Sequence, residues 1–163
     1  MSDAPIPFQR FIDVHREAVW RFLVSSVGAS DAEDCFQETF IAALRAYPRL
    51  RAGSNPRAWV LTIAHRKALD AHRARARRAL AVAEIEALDG RACSEVATVA
   101  GTHESGLWEA VRELPPRQRS AVALRFIADL PHRDIATAIG CSEEAARRSL
   151  HEGLAKLRQE VAA

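Results

Sequence analysis

Near the end of this 163-residue chain, Arg147, Arg148 and His151 fall on one side of a helical repeat. Its other side carries Ala146, Leu150, Leu154 and Leu157. An apolar stripe beside a basic one seats a helix on a core while its outer face meets duplex DNA. The preceding LPHRDIATAIG reads as a shorter helix: Ile135, Ala136, Ile139 and Gly140 permit a close crossing, and Ser142 stands where it can cap the next helix. Helix, tight turn, helix is therefore expected over Leu130–Arg158. A second basic group lies mid-chain, where six Arg or Lys stand against one Asp between Arg66 and Arg78. Arg66, Lys67 and Arg73 among them recur at roughly helical spacing, which can track a phosphate backbone but also suits a solvated helix end. Just upstream, RLRAGSNP is a small-residue loop that, beside such a helix, could hold an unstacked base in a pocket. In DAEDCFQETF, Asp34, Gln37, Glu38 and Ile41 share an outer helix face. One apolar side chain ringed by carboxylates and an amide suits a docking surface for a basic partner, and equally a solvated face. The chemistry on offer is recognition rather than bond-making.

The elements that must hold these groups are helical. Ala, Leu, Arg and Glu abound, Tyr occurs once, and no long β-branched alternation exists, so an all-α fold is expected. Phe8, Phe11, Ile12, His15, Val19, Phe22, Leu23 and Val27 make one apolar face of a helix that Gly28 ends. Ser30 and Glu33 have capping-box spacing and should open a second helix reaching about Tyr47, with Phe36, Phe40, Ala43, Leu44 and Tyr47 inward and Pro48 as the stop. A third helix is expected from Arg57 to about Arg78, seated by Trp59, Val60, Ile63, Ala64 and Ala68. Residues 79–106, with five acids against Arg91 between Glu84 and Glu104, read as a linker with a helical turn or two near Val82–Leu88. Leu107–Leu114, Arg117–Leu130, Arg133–Ile139 and Ser142–Val161 form a C-terminal set of helices. The simplest organisation is two small helical domains, 1–78 and 107–163, joined by a flexible linker.

Several function classes find no support. Cys35, Cys93 and Cys141 are widely spaced, no CxxC or paired Cys/His spacing occurs, and His65 and His72 lack a nearby third ligand. Neither a metal site nor a nucleophile–base pair is indicated, so a thiol- or metal-dependent enzyme has no anchor and no cofactor is expected. An odd cysteine count, no signal-like leader and no long apolar run suit a soluble protein of a reducing cytoplasm, with no membrane insertion. Cys93 is the expected exposed thiol. Trp20, Trp59 and Trp108 lie at or beside apolar stripes and read as core. The end, Val161-Ala162-Ala163, reads first as a frayed terminus and second as an apolar tail of the kind degradation machinery reads.

Taken in order, DAEDCFQETF, NPRAWVLTIAHRKALDAHR and LPPRQRSAVALRFIADLPHRDIATAIGCSEEAARRSLHEGLAKLR resemble the extracytoplasmic-function (ECF) sigma factors of bacterial RNA polymerase, built from region 2 and region 4. The likeness covers about Phe8–Arg78 and Leu107–Arg158. It implies that Asp34, Gln37, Glu38 and Ile41 dock on the clamp helices of the polymerase's largest subunit. It implies that Ser54 and Asn55 line a base pocket for the minus-ten element, while Arg66, Lys67 and Arg73 hold phosphates or wedge the fork. The linker would thread toward the active-site and RNA-exit channels. Ser142, Arg147, Arg148 and His151 would belong to the helix that enters the minus-thirty-five major groove. The implied function is a dissociable polymerase subunit for promoter recognition and strand opening, not an enzyme, with an anti-sigma factor as a further partner.

Two departures stand out. Arg66 replaces an Asn frequent in the family, exchanging directional base contact for charge. The recognition helix has Ala145, Ala146 and Arg147 where the family frequently has Thr-Val-Lys, and Ser149 and Glu152 where it frequently has Arg. Two cations are missing and Arg148 is gained, so an unusual or weak minus-thirty-five contact is expected. The rival reading is a stand-alone helix-turn-helix regulator. It would leave Asp34, Gln37 and Glu38 without a task and would call for a dimerisation helix that is not evident.

Overall fold

The computed structural model describes residues 6–89 and 103–162. Helices α1 (Phe8–Val27), α2 (Ala29–Ala46), α3 (Pro56–Asp89), α4 (His103–Glu113), α5 (Pro116–Phe126), α6 (His132–Ile139) and α7 (Glu143–Ala162) follow one another, with a 3-10 turn at Tyr47–Arg49 after α2. No strand occurs among the described residues.

Helices α1, α2 and α3 form one unit. Phe11, Val19, Phe22 and Leu23 of α1 are fully buried against Ala32 and Ala43 of α2 and Val60, Leu61 and Ala64 of α3. Phe11 is the hub at one end. Its ring lies 5.1 Å from Tyr47, 5.8 Å from Trp59 and 4.6 Å from His15, so one side chain ties α1, the 3-10 turn and the start of α3 together. That junction sets where the 50–55 loop leaves the unit.

Details of this unit differ from expectation. Ser30 does not cap α2: the helix already begins at Ala29, with Gly28 in the cap position and no side-chain cap bond. Gly28 takes φ 83°, turns the chain at once, and its carbonyl accepts the Ala32 N–H at 3.1 Å. Leu44 is not inward but 54% exposed, and Trp20 is 40% exposed, with its ring edge-on to Phe36. The small residues Ala32, Cys35, Thr39 and Ala43 form the closest contact of α2, so its flanks turn outward.

The stretch expected as linker is partly helix. Residues 79–89 continue α3, and 103–106 belong to α4. The sequence ALAVAEIEALD is made of strong helix formers without Gly or Pro, and acidity does not oppose helix formation. Residues 90–102, with Cys93, and the terminal Ala163 lie outside the described residues.

In the C-terminal unit, α5 stops at Phe126 rather than Leu130. Asp129 takes φ 51°, and the Leu130 N–H folds back to the Leu124 carbonyl at 3.1 Å. The helix-turn-helix is α6 and α7. Gly140, at φ 77° and ψ 46°, closes α6 in the left-handed conformation, and its N–H bonds the Ala136 carbonyl at 2.9 Å. Ala146, Leu150 and Leu157 of α7 are buried. Gly153 lets α7 approach α5 so closely that an added Cβ would stand 3.0 Å from Val122 Cγ2. The two units are packed together, with α3 against α6 and α1 against α4 and α5.

Candidate nucleic-acid interface

Helix α2 projects Asp34, Gln37, Glu38 and Ile41 along one exposed ridge, and Leu44 extends it by a turn. Spacing could have found Leu44, three residues beyond Ile41, but its position also fits the inner face of α2. The ridge is not isolated from the basic helix. Lys67 Nζ lies 3.1 Å from Glu38 Oε2, and Arg75 Nη2 lies 3.0 Å from Asp31 Oδ2. Lys67, expected among the minus-ten contacts, is therefore half-buried beside the acidic ridge. Asp31, Asp34, Glu38, Lys67, Arg77 and Arg78 line one cleft between α2 and α3, with Cys35 among its lining residues. Burial, then the carboxylates of Glu38, Asp31 and Asp34, push the Cys35 thiol up, which disfavours the reactive thiolate.

The loop before α3 is held by its own backbone. Ser54 Oγ donates to the Arg51 carbonyl at 2.6 Å, across a turn in which Gly53 takes φ 78°. Asn55 is the N-cap of α3: its Oδ1 accepts from the Arg57 N–H at 3.1 Å and the Ala58 N–H at 3.2 Å, with Pro56 as the first helical residue. Its Nδ2 is turned outward and donates to Asp134 Oδ2 of α6 at 2.9 Å. Sequence spacing alone did not reveal this capping role, although Asn before Pro at a helix start is its signature.

Arg66 and Arg73 line a second cleft with Asp70 on one wall and Thr137–Gly140 of α6 on the other. Arg73 lies 3.4 Å from Asp70 and Arg66 is exposed. Asn55, Arg66 and Arg73 thus face the C-terminal unit, while Lys67 faces α2. His65, on the same helix, is buried among Phe22 and the seam residues, and burial, with Arg66 and His72 adding, pushes it down to about 4.

At α7, Ser142 Oγ accepts the Ala145 N–H at 3.2 Å, so this hydroxyl caps the helix as its sequence position suggests. Arg147, Arg148 and His151 are exposed on one side. Arg147 Nη2 donates to Glu143 at 2.6 Å, and Arg148 Nη2 lies 3.5 Å from Glu144. Arg147 and Arg148 are thus each paired one turn back, which lowers the net charge on this side of α7.

Comparisons with known proteins follow the same division. Residues 11–78 match the family model for Sigma-70 region 2, and residues 105–157 match that for Sigma-70, region 4. The ECF RNA polymerase sigma factor BldN of Streptomyces coelicolor is 33% identical over 143 residues, covering 85% of this chain and 54% of that protein. The ECF RNA polymerase sigma factor SigD of Mycobacterium tuberculosis is 30% identical over 160 residues, 93% of this chain and 76% of that protein. In fold, the chain matches the sigma factor RpoE of Bartonella quintana, solved with the anti-sigma factor NepR, at a TM-score of 0.78 and 22% identity, over 96% of this chain and 97% of that one. A stand-alone helix-turn-helix regulator has no reason to carry a region 2 unit, and the match over 11–78 disfavours that alternative. A region 2 bundle bearing an exposed acidic ridge, followed by a region 4 helix-turn-helix and matched along both by an ECF sigma factor at 30% identity, places the protein among the ECF RNA polymerase sigma factors.

Proposed function

We propose that the chain works as a dissociable subunit of RNA polymerase, with residues 1–78 and 107–163 as its two working domains. The ridge of Asp34, Gln37, Glu38, Ile41 and Leu44 docks on a basic surface of the core enzyme. Ser54, Asn55, Arg66, Lys67 and Arg73 capture and open the minus-ten element, and the α7 face of Arg147, Arg148 and His151 meets the minus-thirty-five element. The observation that carries this reading is the α2 ridge, an apolar pair flanked by carboxylates and left uncovered while Ala32, Cys35, Thr39, Phe40 and Ala43 seat the opposite side of α2 in the core. The work is done by binding, without a covalent step or cofactor: docking and phosphate contacts offset unpairing, where each stacking step is worth roughly 1–2 kcal/mol. Such a role places the protein in the cytoplasm with the polymerase. No helix among the described residues is long and apolar enough to cross a membrane.

An anti-sigma protein is the further partner we infer. The open apolar groove of Leu107, Trp108, Val122, Phe126, Leu154 and Leu157 supports it, because an amphipathic helix would cover that surface. The direct test is in-vitro transcription with purified core polymerase on genomic fragments. Discrete transcripts that require this protein are the expected result. DNA shifted by the protein alone, with no new transcript, would favour the stand-alone regulator. The double reversal Asp34→Arg/Glu38→Arg is expected to abolish co-purification with core polymerase while leaving the helical circular dichroism unchanged. Retention on the polymerase would remove α2 as the docking helix.

A further inference from the structure

Arg119, on α5, reaches across the seam between the two units, and no reading of the sequence singled it out. Its Nη2 donates to the Leu114 carbonyl at 3.1 Å, within its own unit. Its Nη1 crosses to the first unit, 3.3 Å from the Ser26 carbonyl of α1 and 3.0 Å from His72 Nε2 of α3. Its Nε is buried and has no partner in the structure. The partners its guanidinium does have are all neutral. Because a guanidinium can only donate, His72 Nε2 must be an acceptor, so His72 is neutral when the seam is closed.

We propose that the seam between the units is an acid-released latch, shut by the hydrogen bond from Arg119 to neutral His72 and opened when His72 takes a proton. A protonated His72 has no lone pair to offer and sets a second cation against a half-buried guanidinium. The charged and titratable groups around it act in both directions. Arg119 from α5 and Arg75 on its own helix oppose protonation, His65 lies two turns back on the same face of α3, and Asp31 of α2 and the Ser26 carbonyl of α1 favour it. Burial and Arg119 outweigh these last two and hold His72 below its ordinary 6.5. The closed state thus binds fewer protons than the open one, is at full strength above about pH 6.5, and weakens as pH falls below it. The other cross-seam hydrogen bonds do not involve His72: Arg57 Nε donates to the Ala128 carbonyl at 2.7 Å, and Asn55 donates to Asp134. Their donors sit at the loop and first turn of α3, so release at His72 frees the middle of α3 from α5 and leaves the seam to these bonds and to helix packing. Opening would uncover Asn55 and the Arg66–Arg73 face for DNA. The latch itself rests on packing and not on the proposed function.

Small-angle X-ray scattering on the full chain from about pH 7.5 to about pH 5.5 reads the latch directly, with circular dichroism following helicity and NMR the titration of His72. The radius of gyration is expected to rise as pH falls, with helicity retained and His72 titrating below 6.5. His72→Gln keeps an acceptor that does not titrate and is expected to stay compact throughout. Arg119→Gln removes the opposing cation and is expected to flatten the response, which serves if His72→Gln fails to fold. A native chain that stays compact at both ends of the range overturns the proposal. So does an expansion that both variants share with it.

Discussion

Asn55 uses one side chain for two jobs. Its carbonyl oxygen caps α3 through the N–H groups of Arg57 and Ala58, while its amide nitrogen points out of the unit. These jobs separate by substitution. Asn55→Ser keeps a capping oxygen and loses the amide donor, whereas Asn55→Ala loses both. Thermal unfolding is expected to show the Ala variant less stable than the Ser variant by about 1 kcal/mol. Promoter opening, followed by permanganate footprinting of the minus-ten region, is expected to fall alike in both. An Asn55→Ser variant that opens promoters normally would leave the residue only its structural job. Lys67 and Glu38 teach a related lesson, since residues expected in two separate sites share an ion pair at 3.1 Å. The pair is exposed enough on the carboxylate side that its direct contribution to stability is small.

Among the elements, α7 shows how a helix face is placed. Gly153 allows α7 onto α5, and an added Cβ would sit 3.0 Å from Val122 and 3.3 Å from Gln118 Cβ. Val122 is buried and β-branched, so it cannot swing away. Gly153→Leu is therefore expected to destabilise the protein by about 1–3 kcal/mol despite the better helix propensity of Leu, measured by urea unfolding. An unchanged or higher midpoint would mean that α5 and α7 can separate without loss. Periodicity placed α1 at Phe8–Val27, as observed, because its apolar positions repeat without interruption. It failed at the end of α3, where a composition shift was taken for a boundary although helix-forming residues continue to Asp89. It also failed at Ser30, because the backbone turn at Gly28 pre-empted a capping motif of correct spacing.

Across the whole molecule, the buried histidines make stability depend on pH. His65 is held at about 4, mainly by burial, and His15 and His72 are lowered for the same first reason. Each binds its proton more readily when unfolded, so this stability is complete above about pH 6.5 and is lost as pH falls toward 4. For His65 alone the loss is about 3 kcal/mol. Urea midpoints are expected to fall between neutral pH and about pH 4.5, and His65→Leu is expected to flatten part of that slope. A His65→Leu profile parallel to the native one would mean that other groups carry the acid sensitivity.

Much about this protein was determined by its sequence alone. The all-helical architecture, the helix-turn-helix with Ser142 as its cap, and the acidic ridge of α2 all follow from local periodicity and short-range chemistry. Three motifs in order also sufficed for the family, because each is a contiguous stretch whose spacing survives without coordinates. Tertiary structure decided what lies between the helices. It paired Lys67 with Glu38, set Asp134 against Asn55, and brought Arg119 to His72, residues 47 positions apart in the chain. Such contacts depend on how two units dock, and docking is set by the combined shape of several faces, which no local repeat encodes.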